Sequence, residues 1–268
     1  MQQFEKDFAA LVKKTLTLGS VRSTRNAMTT AIFGETLKVS VENNFFPILQ
    51  GRKMFSAGVF GELAAMLRKP KHIDDFTKWG CNYWGLWAKA DGSINVDYGN
   101  AWFDFNGVDQ IAQLKDKLAN NPTDRRMIIS GWKPDGLDEL DLPCCHHTYQ
   151  FFVDNGKLHM SWSQRSVDLM IGLPSDIVFA AAWLIAVARE FNLKPGIITM
   201  FLGDCHVYKQ HTEAAYEYIA NVKNAKSMKA PTYIYTPPAG SDFCEFEPQH
   251  IKLSTFESFD KLKLELIA

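Results

Sequence analysis

Neither sign of charge is in excess in this 268-residue chain: 29 basic side chains face 30 acidic ones, for a formal net charge of −1. A nucleic-acid coat needs a broad basic field, so that class is excluded, and any phosphate must be met by a few placed arginines. Cysteine is scarce and odd in number (Cys81, Cys144, Cys145, Cys205, Cys244) and lacks the regular spacing of a disulfide framework, which fits a reducing compartment. No hydrophobic run is long. The longest, Ile177 to Ala188, ends at Arg189 after 12 residues, too short for a bilayer and suited to a buried helix. The opening Met1-Gln2-Gln3-Phe4-Glu5-Lys6-Asp7 is acidic where a secretory or organellar signal is basic and then apolar, so a cytoplasmic protein with no membrane partner is expected. Repeats, low-complexity tracts and Gly/Ser linkers are also absent, and one domain over residues 1–268 is expected. At 46% hydrophobic residues, a chain of this length buries an adequate core without disulfides or structural metal, and its partner is expected to be small.

What is present is a mixture of helical and strand patterns. Phe4, Phe8, Leu11, Val12 and Leu16 recur at helical spacing before Gly19, which predicts an N-terminal amphipathic helix with a glycine stop. Thr30 to Val41 is rich in β-formers and reads as a strand pair. Ser56 to Leu67, closed by Pro70, and Val108 to Leu118, before Asn120-Asn121-Pro122, read as helices. Thr148 to Val153 and Lys157 to Trp162 flank Asp154-Asn155-Gly156, a hairpin signal because Asn-Gly supplies the positive φ a tight turn requires. Ile197 to Leu202 and Thr232 to Tyr235 read as short strands, Pro174-Ser175-Asp176 as the opening of the apolar helix, and His211 to Val222 as another helix. The elements do not alternate regularly, so the expected class is α+β.

Thiols and imidazoles concentrate in Leu142-Pro143-Cys144-Cys145-His146-His147-Thr148-Tyr149-Gln150. As a zinc site this run offers the right atoms, but four adjacent side chains cannot converge on one tetrahedral ion; Cys205-His206 would have to supply a second pair. Both cysteines could instead be small core residues. Nucleophilic catalysis is the third reading, and it needs a cation or donor to lower the thiol pKa. Arg125-Arg126 after a turn and Gln164-Arg165-Ser166 after a strand are two compact arginine stations, each able to grip a phosphate bidentately.

Taken together, these residues resemble the thymidylate synthases and their pyrimidine-nucleotide hydroxymethylase relatives. The resemblance rests on Leu142-Pro143-x-Cys145-His146 with Gln150-Phe151, Gln164-Arg165-Ser166-x-Asp168, Gly172-Leu173-Pro174, and Gly203-Asp204-x-His206-x-Tyr208-x-x-His211, in that order. It extends through Phe46-Pro47, Glu62, Trp84-x-x-Trp87 and Tyr98-Gly99, and so covers nearly the whole chain. It implies a mixed sheet flanked by helices and a homodimer formed through the sheet, with shared active sites. It also implies a pyrimidine deoxynucleoside monophosphate substrate and 5,10-methylenetetrahydrofolate as co-substrate, with no nucleic acid and no metal required.

Carried over residue by residue, the nucleophile is Cys145, joined in the catalytic set by Glu62, Tyr98 and His146, while Cys144 stands where proline is common. The thiolate adds to C6 of the pyrimidine, and C5 then attacks the one-carbon unit of the folate. Loss of the C5 proton and of the folate leaves an exocyclic methylene, which takes a hydride to give methyl or water to give hydroxymethyl. Gln164, Arg165 and Ser166 fall on the nucleotide side, with Arg125 and Arg126 reaching in from the other subunit and Arg25, rather than Arg22, as a further phosphate ligand. Arg165 would also favour the Cys145 thiolate. His206 and Tyr208 match the pair on the sugar 3′-hydroxyl, and Trp84, Trp87, Asp168 and Gly172 match the folate side.

One departure bears on the substrate. Thymidylate synthases carry an aromatic residue and asparagine after the Leu-Pro, whereas this chain reads Pro174-Ser175-Asp176-Ile177. An asparagine amide pairs with uracil N3–H and O4; an aspartic carboxyl accepts from the cytosine amino group and shares a proton with N3. Alternatively Asp176 merely caps the helix. The relatives with aspartate here are cytidylate hydroxymethylases of bacterial viruses, which implies 5-hydroxymethyl-dCMP made in a host cytoplasm for viral DNA. A dCMP methylase, an enzyme acting on dUMP and a non-catalytic nucleotide-binding paralogue are the alternatives.

Overall fold

The computed structural model describes residues 1–267. In chain order the elements are α1 (Gln3–Leu18), β1 (Ser20–Ser23), β2 (Met28–Ser40), α2 (Ser56–Met66), α3 (Asp74–Thr77), α4 (Asn100–Phe103), α5 (Gln110–Asn120), β3 (Ile128–Ser130), β4 (His146–Asp154), β5 (Lys157–Asp168), α6 (Gly172–Glu190), β6 (Lys194–Tyr208), α7 (Thr212–Asn224), β7 (Tyr233–Tyr235) and β8 (Ile251–Leu253). Six strands form one sheet in the order β1-β2-β6-β5-β4-β3, and β7 and β8 form a separate pair. All neighbours in the large sheet are antiparallel except β5 and β6, which run parallel and are joined by α6. A parallel pair needs a crossover of this kind, since no tight turn can return the chain in the same direction. The fold is α+β with a mixed sheet flanked by helices, in agreement with the expected class.

The helices collect on one face of the sheet. α6 is buried almost throughout, from Leu173 to Ala188, so although its length and composition would suit a membrane span, it serves as the central core helix. Its Trp183 stacks on Trp102 at 4.5 Å between ring centroids, and Tyr149 packs edge-on against both. Rings of this size bury 150–250 Å² each and dominate the packing of such a layer. α1 ends at Gly19, whose N–H closes on the Thr15 carbonyl. Its Glu5 carboxylate, buried at the base, accepts from the backbone N–H groups of Gln50 and Gly51 and from the Tyr218 hydroxyl, tying α1 to α7 and to the 50–53 loop.

The hairpin forms as expected, with Asn155 and Gly156 both at positive φ (47° and 73°). Two expectations are corrected. Residues 30–40 belong to one long strand, β2, instead of a strand pair; Gly34 within it takes a φ of 82° without shifting the register against β6. The apolar helix begins at Gly172, not at Pro174-Ser175-Asp176, because proline is tolerated within a first turn whose N–H groups have no intrahelical partner. Asp176 therefore lies inside α6, and the capping reading of this residue falls.

Candidate active site

Strand register gathers the motifs. His146 on β4 pairs with Gln164 on β5, the Arg165 N–H donates to the Cys145 carbonyl at 2.8 Å, and Asp168 pairs with His206 across the parallel β5–β6 ladder. Three motifs far apart in sequence thus share one end of the sheet. Gly203 allows this closeness, since a Cβ there would lie 2.7 Å from the Arg165 carbonyl oxygen. α6 follows β5 after three residues and swings Asp176 over the same end.

Cys145 stands just before β4 and is partly exposed, whereas Cys144 is fully buried with its thiol against the Gly131 carbonyl at 3.4 Å. Burial pushes the Cys145 thiol up; Arg165 opposes this, and Asp176 adds to it. Arg165 favours the Cys145 thiolate as expected, though the desolvation of the thiol is the larger influence. The Arg165 guanidinium is held by the Cys144 carbonyl (2.9 Å) and the Pro143 carbonyl (3.0 Å) and lies over the Trp132 ring. Tyr98 is fully enclosed, and its hydroxyl oxygen accepts from the Cys145 N–H. Cys144 is driven to about 12 by burial, which makes it a core thiol.

His146 sits between the rings of Trp162 (4.3 Å) and Tyr98 (4.5 Å), with Nδ1 2.5 Å from the Tyr149 hydroxyl. Burial drives its pKa down to about 3, so at neutral pH it is a neutral hydrogen-bonding ring and not a proton donor of the imidazolium kind. The Asp176 carboxyl accepts from Gln164 Nε2 at 2.7 Å and has the neutral His146 ring 3.9 Å away, and among the described residues no cation neutralises it. Desolvation raises Asp176 from 3.8 to about 8, with smaller contributions from the charges of Glu62 and Asp168. Gly172 keeps the space beside Asp168 and Asp176 clear of a side chain. Ser175 turns its hydroxyl back onto the Ile171 carbonyl, leaving no ring next to Asp176.

Glu62 projects from α2 and accepts from Trp84 Nε1 (2.7 Å) and from the Tyr83 hydroxyl (2.8 Å). Burial raises its pKa to about 7. Trp84 stacks on Phe76 and leans on Trp87 and Tyr98, so the two tryptophans form one aromatic wall. On the far strand, His206 Nδ1 lies 3.1 Å from Asp204 Oδ1, with Tyr208 packed edge-on beside it. Asp168 accepts from the Met170 N–H.

The outer arginines fare differently. The Arg22 guanidinium pairs with Asp204 at 2.6 Å, while Arg25, in the turn between β1 and β2, is exposed and donates to Asn26. Arg125 and Arg126 are exposed before β3, and Arg126 is folded back on Asp124. Counted along the β3–β4 register, they stand roughly 20 Å from Cys145 of the same chain. One chain therefore does not bring them to Arg165. Among the described residues no three His, Cys, Asp or Glu side chains are arranged to hold a metal ion. Two surface hollows beside the 237–241 loop, of about 220 and 500 Å³, contain none of these motif residues.

Two neighbours of the site had no sequence signal. Tyr83 belongs to no motif, and its link to Glu62 spans 21 positions. Arg52 is a mostly buried cation facing Asp168 that donates to the Met170 carbonyl; nothing in the spacing of Gly51-Arg52-Lys53 shows this. With the geometry in place, comparison with protein families finds that the family described as Thymidylate synthase matches residues 6–268.

Proposed function

Since the chain belongs to the thymidylate synthase family, which carries out folate-dependent transfer to C5 of a pyrimidine nucleotide, we propose that it converts dCMP to 5-hydroxymethyl-dCMP with 5,10-methylenetetrahydrofolate. The observation that carries this reading is Asp176, a buried carboxyl bonded to Gln164 and raised to about 8, hence neutral at physiological pH. A neutral carboxyl both donates and accepts. Toward cytosine it gives its proton to N3, a ring nitrogen with a free lone pair, and accepts from the exocyclic amino group. Uracil presents a donor at N3 and an acceptor at O4, so it meets the same carboxyl only with the proton on the other oxygen, and addition at C6 sends its electron pair to O4 instead of N3. A mismatched polar edge costs about 1–3 kcal/mol for each unpaired buried group.

Addition of the Cys145 thiolate to C6 pushes an electron pair through C5 and C4 onto N3, where the Asp176 proton neutralises it. The product is an enamine with nucleophilic C5, which forms a bond to the folate's one-carbon unit. After loss of the C5 proton and departure of tetrahydrofolate, an exocyclic methylene remains. Water adds to it: the oxygen bonds to the methylene carbon, a water proton passes to Glu62, and the π pair moves into the ring. Return of the N3 proton to Asp176 re-forms the C4–N3 and C5–C6 double bonds and expels Cys145 as thiolate. Ser175, small and turned away, supports the admission of water; the Trp84–Trp87 wall favours the alternative, hydride transfer to give 5-methyl-dCMP and dihydrofolate.

The homodimer is part of the same proposal. The face of the sheet opposite the helices exposes Ile128, Phe152 and Phe201, an apolar patch suited to a second copy of the chain. Such a pairing would let Arg125 and Arg126 serve the neighbouring site, which their distance from Cys145 of their own chain otherwise prevents.

Incubation with methylenetetrahydrofolate and either dCMP or dUMP, with product mass and dihydrofolate followed together, tests the reading. Hydroxymethyl-dCMP without dihydrofolate is the expected result. A methylated product with dihydrofolate, or preferential turnover of dUMP, would overturn it.

A further inference from the structure

We propose that Tyr83 is a positioning residue of this reaction: its hydroxyl on one oxygen of Glu62, with the Trp84 indole N–H on the other, holds the carboxylate ready to take the proton of the attacking water. The inference rests on the hydroxymethylase reading above and names the part of the site that governs its last step.

Glu62 is an unusual carboxylate in its surroundings. None of the ion pairs among the described residues includes it, and the groups that favour its ionised form are the two donors, Tyr83 and Trp84, at 2.8 and 2.7 Å. They come from adjacent residues on one loop, so the chain places a clamp across the carboxylate and fixes its plane. The two donors are not equivalent. An indole N–H can only donate, so Oε1 must remain an acceptor in every state. A phenol can donate or accept, so Oε2 can carry the arriving proton while the Tyr83 hydroxyl rotates to accept it. Tyr83 thus stabilises the ionised carboxylate before the transfer and still has a bond to make after it.

The other titratable groups near Glu62 leave this role to Tyr83. Cys81, on the same loop, is buried and its thiol is pushed far up, so it stays neutral. Asp176, from α6, is raised in part by the charge on Glu62, which keeps Asp176 neutral while Glu62 is ionised. The two carboxyls then hold different protonation states at the same pH, one able to donate to N3 and the other able to accept from water. Loss of the Tyr83 hydroxyl removes one of two hydrogen bonds to the ionised form, and the acid limb of water capture should move up by about one pH unit.

The test uses the Tyr83→Phe and Tyr83→Met enzymes with dCMP tritiated at C5 and methylenetetrahydrofolate. Release of tritium reports steps up to the exocyclic methylene, and hydroxymethyl-dCMP reports its capture by water. Both variants should release tritium within about twofold of wild type at pH 7.5. Both should form severalfold less product per tritium released at pH 6.5, with the acid limb of the pH profile displaced upward. Two variants of different shape guard against a folding defect in one. An unshifted profile, or tritium release and product falling together at every pH, would overturn the inference. A wild-type enzyme that yields only methyl product would instead overturn the reading beneath it.

Discussion

Replacing Asp176 by asparagine should make the substrate-free protein more stable, by an amount that grows as pH rises from about 4 to about 8. The carboxyl lies against Gln164, its one basic neighbour among the described residues is His146, which burial keeps neutral, and desolvation raises it from 3.8 to about 8. Between those values the native state keeps a proton that the unfolded chain has released. The native state therefore binds more protons, and stability falls as pH rises through this window. At about 1.4 kcal/mol per pH unit the full interval corresponds to on the order of 5 kcal/mol, and water at the pocket mouth reduces the working figure to roughly 2–4 kcal/mol. Asparagine has the same shape, can still accept from Gln164 Nε2 and never ionises. Thermal unfolding of both proteins from pH 5 to pH 8.5 should show a gap opening by roughly 5–10 °C in favour of Asp176→Asn, then levelling above pH 8. A gap that does not change with pH, or a wild type that is the more stable protein at pH 8, would refute the argument for a neutral buried carboxyl.

Mixed dimers give a second check: Cys145→Ser and Arg126→Ala proteins, each inactive or nearly so alone, should regain about a quarter of wild-type activity after unfolding and refolding together, because one site in each hybrid is intact. No recovery would count against arginines supplied across the dimer. Gly99→Ala should cost about 3 kcal/mol or more in urea unfolding, since Gly99 holds φ 76° and an added Cβ would collide with the Met66 carbonyl; a change under 1 kcal/mol would contradict the close approach that seats Tyr98.

Much of this architecture was legible because its signals are local. Asn155-Gly156 specifies its own turn, the 177–188 run specifies a buried helix, and Phe4 to Leu16 specifies one face of α1. What the sequence concealed is long-range. The parallel pairing of β5 with β6, which sets Asp168 beside His206, leaves no mark in either strand. The β-formers of residues 30–41 read as a strand pair because they mark strand propensity without fixing where one strand ends. The start of α6 was misplaced because Pro174 resembles a helix boundary, and the error mattered: only inside the helix does Asp176 face Gln164 instead of capping the end. The candidate site residues were nameable from motifs, yet their protonation states were not. Burial, as the largest cause, turns His146 into a neutral ring, Asp176 into an acid and Glu62 into a group that titrates near neutrality.

The central claim is that Asp176 selects cytosine, and the ratio of kcat/KM for dCMP to that for dUMP, in wild type and in Asp176→Asn, tests it most directly. The loss of one or two matched hydrogen bonds to the base should lower that ratio by about 10- to 100-fold or more in the variant, with dUMP turnover rising in absolute terms. An unchanged ratio, or one that moves further toward dCMP, would contradict the account.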